Sequence, residues 1–542
     1  MNCTRRVFDA VAILPRVVIT VLGIVVLGGL GFAGRASAQA PAEQAPAAQA
    51  PTTQAPAQAS TAQAPAQALA AEPPAAPAAQ AQTQPAAAAP ATTPSAPTPP
   101  AAAAAATPPE APLSANDVSW LFPTPTKPQD LANLISMADL TVPNPLDPTK
   151  RDRVWSDAAF QQFLGIAASP QAVVAGTSDR IGLPAEVKSI DAWHIAGIRF
   201  DPGAPGLSDA IIKQYGQSPQ IRLIVQPVTK NADGTLNVHD ITAHLVFSFL
   251  AGAQEPAEKG CFPRPIPDLS TFKQIVAEIA DLRTRLNAGK FGADKVSTSG
   301  KPLGVHPGLA DQTTASNVRQ EMKAILERHL ASQRLGQMAI MGLPANAAEP
   351  WIFLAMLLMP PGAVPQLPNG GYVPVRGPTL DGTQFAQKLN PAGSNPRVVP
   401  TPHTNNLAAI TCINAAVPAD GPPVAQRHGV ATASLFPDPP PSANRTKNVL
   451  NVLNVIADPT KSHFFNTDCV SCHTETRRAM ELLTPANIPK ISAAPLPNGP
   501  WNVRNFGWSP LVEGPVHGTV TRRTAAETAA VVDFINDKLL AK

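Results

Sequence analysis

Two cysteines and a histidine near the C-terminus have types and a spacing that could do chemistry. Cys469 and Cys472 are separated by two residues, and His473 follows at once. One helical turn would place both thiols on the same side of the chain, about a porphyrin edge apart. Each thiol could then add to one vinyl group of a haem, with the adjacent imidazole pointing at the iron as its proximal ligand.

Two other interpretations of this motif are a redox-active dithiol and half of a zinc site. A tetrahedral zinc site needs a fourth ligand, which His463 or His517 could supply. A thioredoxin-like dithiol needs a βαβ context, and the surrounding residues do not have that pattern. The immediate histidine therefore favours one covalently bound haem c.

On Cys469, Cys472 and His473, residues 443–542 resemble the cytochrome c superfamily. The order of elements is also similar: a helix near Arg445–Ile456, the motif, a proline-rich stretch, and a last helix. A capping box formed by Thr524 and Glu527 predicts the start of that last helix. The resemblance implies an all-α module in which the first and last helices cross beside the haem. The gap between the first helix and Cys469 is longer than is usual in the family.

The resemblance also implies a sixth iron ligand from the loop before the last helix. His517 is the candidate there, and the turn-forming residues Gly514, Pro515 and Gly518 surround it. Met480 and His463 are alternatives, and an open or water-bound iron is another.

Side chains near this loop are candidates for holding the haem propionates. They are Trp501, Arg504 and Arg522, which supply indole and guanidinium donors. Trp501 could equally be a core residue.

The N-terminus has the pattern of an export signal over residues 1–38. Basic residues precede an apolar run from Val17 to Ala33, and Ala36-Ser37-Ala38 offers a cleavage site. Thr4-Arg5-Arg6-Val7-Phe8 resembles a twin-arginine signal, but an ordinary basic flank is the preferred interpretation. An uncleaved anchor is the alternative, with association to the envelope or membrane through this segment. We expect an exported protein of the periplasm or cell envelope.

Residues 39–113 repeat variants of Gln-Ala-Pro-Ala and carry almost no charge. Such a segment cannot bury a core, so the composition predicts a disordered linker. It contains many of the chain's 63 prolines.

Residues 114–442 have the composition of a globular domain. Three apolar runs predict strands at Trp193–Phe200, Ile221–Val228 and His239–Phe249, and Gln337–Leu343 with Trp351–Met359 predicts a hairpin. Helical periodicity predicts helices at about Thr271–Ala288, with Gly289 as a cap, and at Asn317–Gln333, with Ser316 as N-cap. Because strands and helices come in blocks, the predicted fold class is an α+β domain followed by an all-α cytochrome c-like module.

The function of the middle domain is not recognisable from its residues. His239 and His244 are five residues apart, so on one strand they face opposite ways and cannot share a metal without a bulge. The remaining cysteines, Cys261 and Cys412, are expected to form a disulfide in an oxidising compartment, with two buried free thiols as the alternative.

The net charge of the chain bears on whether its partner could be a nucleic acid. The formal net charge is +3 over 542 residues, and the first 38 residues alone account for it, so nucleic acid is not an expected partner. The leading hypothesis is an exported monohaem protein that exchanges single electrons with a redox partner protein. The alternatives are a haem enzyme or sensor with an open sixth site, and a binding or envelope-attachment module with an accessory haem.

Overall fold

The computed structural model describes, apart from isolated residues and short gaps, residues 112–170, 180–255, 264–343, 352–359, 371–403, 443–462, 469–483, 505–509 and 515–541. The export segment, most of the linker, Cys261 and Cys412 lie outside the described residues. Residues 102–542 form one compact unit.

Seventeen strands are present in the described part of the chain, in four sheets. Their bounds are β1 Ser119–Leu121, β2 Thr141–Pro143, β3 Arg151–Arg153, β4 Trp193–Ala204, β5 Ser218–Lys230, β6 Leu236–Val238, β7 Ile241–Ser248, β8 Leu250–Glu255, β9 Arg264–Pro267, β10 Leu335–Gly342, β11 Ile352–Met359, β12 Gly371–Val375, β13 Gly377–Pro378, β14 Gln384–Ala392, β15 Asn395–His403, β16 Phe506–Ser509 and β17 His517–Val520.

The α-helices are α1 Ala115–Val118, α2 Asp157–Ala167, α3 Leu269–Asn287, α4 Pro307–Ala310, α5 Ala315–His329, α6 Ala443–Ala457, α7 Cys469–Leu482 and α8 Arg522–Phe534. A π-helical segment, Ile535–Leu540, continues α8. Short 3-10 helices cover Pro128–Asn133, Ala185–Lys188, Ile190–Ala192 and Ser332–Arg334.

An antiparallel sheet of eleven strands dominates the fold. Its main path runs β1-β4-β5-β7-β10-β11-β14-β13, with β6, β12 and β15 paired beside that path. The three predicted strands of the middle domain become β4, β5 and β7, and the predicted hairpin is confirmed as β10 and β11.

One face of this sheet forms the hydrophobic core. Register aligns Ile198, Leu223, Leu245 and Met338 across four strands, and all four side chains are buried. Helices α3 and α5 contribute their apolar stripes to the same core, and the Phe272 ring lies 6.0 Å from that of Phe249. Because alternate side chains of a strand point to the same face, burial of this face explains the apolar residues at every second position of those strands.

Helix α3 begins and ends as its sequence requires. The Asp268 carboxylate accepts a hydrogen bond from the Thr271 amide at 3.1 Å, which caps the N-terminus. Gly289 follows the last turn at φ +73°, the left-handed conformation that glycine adopts at low cost. The predicted Gly289 cap is therefore confirmed. Helix α5 begins two residues earlier than predicted, with Thr314 and not Ser316 as its N-cap.

The predicted fold class is wrong, because the described residues form a mostly antiparallel sheet with few helices and not an α+β domain followed by an all-α module. The described C-terminal region is not an all-α module, because it contains the β16–β17 hairpin. It also packs on the sheet, since Phe506, Trp508, Val531 and Ile535 belong to the same buried cluster as the strands. A short hairpin in a segment rich in glycine and proline gives too weak an alternating pattern to be recognised locally.

The start of the last helix also differs from the prediction. Helix α8 begins at Arg522, and the Thr521 hydroxyl, not that of Thr524, is the cap that accepts from a backbone amide. Thr521 is itself a residue type that caps helices and lies three positions before Thr524, so the sequence offers two overlapping cap signals for one helix. Glu527 then points to the sheet, where it forms the ion pairs described below.

Candidate functional site

The second face of the large sheet carries polar and charged side chains in its central strands. Arg199 in β4 is paired in register with Arg222 in β5, and Ile224 in β5 is paired with His244 in β7. Because side chains alternate along a strand, Arg199, Arg222 and His244 all point to this face. A charged side chain that is removed from water is costly unless a group of opposite charge lies beside it. The two arginines therefore need acidic partners.

The C-terminal helix α8 supplies a partner for these arginines. The Glu527 carboxylate lies 2.9 Å from the Arg199 guanidinium and 3.9 Å from that of Arg222. Arg222 also pairs with Asp201 at 2.6 Å. Burial alone would raise the pKa of Glu527, but the guanidinium groups of Arg199, Arg523 and Arg222 hold it well below its usual range.

A second buried network joins the three C-terminal helices. Arg522 of α8 pairs with Glu475 of α7 at 2.8 Å, and both side chains are almost fully buried. Arg522 also donates to the Asn454 side chain of α6 at 2.8 Å. Arg523 donates to the Ile456 carbonyl at 3.0 Å. These contacts fix α7, the helix of the cysteine motif, against α6 and α8.

The hairpin β16–β17 docks on the same polar face. The Gln226 amide of β5 bonds the backbone of Trp508 twice, at 2.6 and 3.1 Å. A Cβ at Gly197 would lie only 2.8 Å from the Phe506 ring, so this glycine permits the close approach of the hairpin. Hairpin, α7 and α8 together cover the polar face of the central strands.

The cysteine motif lies at the N-terminal end of α7. Cys469 is the first residue of the helix, and Cys472 and His473 follow within its first turns. The Cys472 sulfur accepts from the Asn505 side chain at 3.8 Å. Burial raises the pKa of Cys472 to about 11, so the thiol is neutral at pH 7.

His473 lies directly against the sheet. Its ring centroid is 5.0 Å from that of Phe353 in β11 and 6.3 Å from that of His244 in β7. Burial, together with the charges of His473, Arg222 and Arg199, lowers the pKa of His244 to about 3. His244 is therefore neutral and keeps a ring nitrogen with a free electron pair. The structure thus joins the motif histidine to a histidine of the middle domain.

His517 lies elsewhere on the polar face. Its Nδ1 is 3.0 Å from the Pro515 carbonyl, and its Nε2 is buried without a hydrogen-bond partner among the described residues. The next residue, Gly518, lies against Leu121 of β1. Leu121 and His244 belong to one row across the sheet, three strand spacings apart, or about 14 Å.

The other predicted site residues are placed as follows. Arg522 lies in the ion pair with Glu475. Met480 lies on α7 with His473. Trp501, Arg504 and His463 lie outside the described residues. His239 contacts Thr229 at 2.7 Å and is not part of the His244 environment. Four residues of this face were not predicted as a group, because strand register and helix packing bring them together from distant segments: Arg199, Arg222, His244 and Glu527.

The arginines between the sheet and α8 have features that fit a haem with its anionic propionates. Arg199, Arg222 and Arg523 face two carboxylates, those of Asp201 and Glu527, which leaves one guanidinium in excess among the described residues. The Arg199 Nε is buried and has no hydrogen-bond partner there. A buried donor without a partner is costly, so an acceptor group beside it would be favoured.

No family model, characterised protein or solved structure matched the chain. Within the described residues, no three His, Cys, Asp or Glu side chains converge as a metal site would require. The helices of the described segments include none with the length and apolar character of a membrane span.

Proposed function

We propose that this protein is an exported c-type haem protein that passes single electrons to and from a redox partner protein. Cys469 and Cys472 hold the haem through two thioether bonds, and His473 is the proximal ligand. When bound, the haem iron supplies a ferric–ferrous couple that accepts or releases one electron.

One observation carries the proposal: the cysteine motif lies on the first turns of a helix whose histidine has its ring 6.3 Å from a second imidazole, that of His244 on the sheet. A dithiol redox site is favoured by a thiol of lowered pKa, whereas burial raises the pKa of the Cys472 thiol. Export is supported by the N-terminal pattern of residues 1–38, since haem c is attached outside the cytoplasm.

The residues around His473 favour a rigid site. The Arg522–Glu475 pair fixes α7, and the Glu527–Arg199 pair fixes α8 on the sheet. Rigid positioning of the proximal imidazole keeps the geometry of the site the same in both charge states of the iron, which suits electron transfer. An enzyme would need an accessible position for substrate beside the iron.

Covalent attachment is tested first. The full chain, with its signal, is produced in a bacterium that has a cytochrome c maturation system, and the denatured protein is stained for haem on a gel. We expect haem to remain on the wild type and to be absent from Cys469→Ser/Cys472→Ser. Cys261→Ser/Cys412→Ser is the matched control and should keep its haem. Loss of haem from denatured wild type, or zinc in its place, would contradict the proposal.

Electron transfer is tested on the purified haem protein by a redox titration followed by absorbance. We expect one reversible transition that fits a single electron. Peroxide turnover, or a ferrous spectrum that shifts with carbon monoxide, would support a haem enzyme or sensor instead.

A further inference from the structure

We infer that His244, in the middle of the large sheet, is the second axial ligand of the iron that His473 binds. This inference rests on the proposed function. It means that the middle domain completes the haem site, and that the last 100 or so residues do not form it alone.

The separation of the two rings is the first argument. An imidazole nitrogen bonds a metal at about 2.0 Å, so each ring centroid lies roughly 3 Å from the metal and two axial imidazoles have centroids about 6 Å apart. The centroids of His244 and His473 are 6.3 Å apart, with the ring planes at 61°. The stacked pair of Trp120 and His306, by comparison, has centroids 3.5 Å apart.

The origin of the two ligands is the second argument. A sixth ligand must approach from the side opposite His473 and therefore from another element. His244 lies in β7, which is hydrogen-bonded to β5 on one side and to β10 on the other. A residue in a central strand is held more firmly than a residue in a loop, as a ligand position requires.

The surface beside His244 is the third argument. Ala339 and Ala355 continue its row into β10 and β11. Both are small and only partly buried, although both lie in interior strands of the sheet. A flat group lying over His244 would cover these alanines. Arg222 is in the next row on the same face and would lie near the edge of this flat group. Arg199, whose buried Nε has no hydrogen-bond partner among the described residues, is paired with Arg222 in register.

The test uses the full-length haem protein and compares His244→Ala with the wild type and a matched control variant. We expect wild type to be low-spin and its ferrous form to be insensitive to carbon monoxide. His244→Ala should keep covalent haem on a denaturing gel, become high-spin and bind carbon monoxide. Added imidazole should then restore the low-spin spectrum by filling the space left by the side chain. His239→Ala is the matched control on the neighbouring segment and should behave as wild type.

A second variant covers the case in which His244→Ala does not fold. His244→Met offers a thioether in place of the imidazole, so the spectrum should stay low-spin while the reduction potential rises.

Each outcome separates the inference from the proposed function. Wild type without covalent haem overturns both. Covalent haem with an unchanged low-spin spectrum in His244→Ala overturns the inference alone. A high-spin spectrum in His517→Ala also overturns it, because His517 would then be the ligand. A high-spin wild type, which would have an open sixth site, overturns it as well.

Discussion

Glu527, on the last helix, lies 2.9 Å from Arg199 in the fourth strand, and this ion pair attaches the C-terminal region to the polar face of the sheet. The Glu527 side chain is 17% exposed and that of Arg199 10%, so water screens the pair only weakly. The ion pair explains why the C-terminal helices and the sheet belong to one structural unit.

Glu527→Gln should destabilise the protein. The change removes a largely buried negative charge and leaves the guanidinium groups of Arg199 and Arg222 underpaired, which we expect to lower the free energy of unfolding by roughly 3 kcal/mol. Urea unfolding followed by circular dichroism measures it. Glu321→Gln is the matched control, since Glu321 pairs with Arg285 at a more exposed position, and it should cost less than about 1 kcal/mol. Equal effects in the two variants would contradict the role given to Glu527.

The same carboxyl makes stability depend on pH. Although burial opposes ionisation, Arg199, Arg523 and Arg222 keep the folded-state pKa of Glu527 below its usual range. In the unfolded chain the pKa of a Glu is about 4.3. The contribution of Glu527 to the free energy of unfolding is therefore fully present above that pH and is lost as pH falls towards the folded-state pKa. We expect the free energy of unfolding to fall more steeply below about pH 5 in wild type than in Glu527→Gln. Parallel pH profiles of the two proteins would count against this prediction.

Gly197→Ala should weaken the docking of the β16–β17 hairpin. The new Cβ would lie 2.8 Å from the Phe506 ring and 3.3 Å from the Trp120 carbonyl. We expect a loss of about 1–3 kcal/mol, measured by thermal or urea unfolding. Adding Phe506→Leu should recover part of that loss. Gly165→Ala in α2 is the control, because a Cβ there meets nothing within 4 Å and improves the helix.

Arg522→Ala should reveal a structural role for this arginine. Its partner Glu475 would remain buried without a counter-charge, which we expect to cost about 3–5 kcal/mol. Arg151→Ala, which removes a more exposed pair with Glu327, should cost less than about 1 kcal/mol. If Arg522 instead binds a propionate, the variant should shift the reduction potential with little change in stability, so both quantities are measured on the haem protein.

Elements with a strong local pattern could be predicted from the sequence. The strands β4, β5 and β7, the β10–β11 hairpin and helix α3 all lie where periodicity and cap residues placed them. Period-two alternation reports one buried face of a strand, and a period near 3.6 reports one buried face of a helix. Weak or duplicated signals gave errors, as at the β16–β17 hairpin and at the two overlapping cap signals of α8.

The candidate site was only half predictable. The motif is local, because Cys469, Cys472 and His473 are near neighbours in the chain, and so the sequence by itself placed these three residues together at the start of one helix. His244 and Glu527 carry no such signature. A histidine on a strand and a glutamate on a helix are ordinary surface residues until another segment covers them.

The tertiary structure alone decided which residues surround the motif. Strand register brings Arg199, Arg222 and His244 to one face, and burial of that face requires Glu527 to neutralise charge there. These contacts join segments far apart in the chain, and they arise because buried charges need partners wherever in the sequence those partners lie. Local spacing thus determined the cysteine–histidine motif and the strands, and long-range packing with charge pairing determined the surface on which the motif lies.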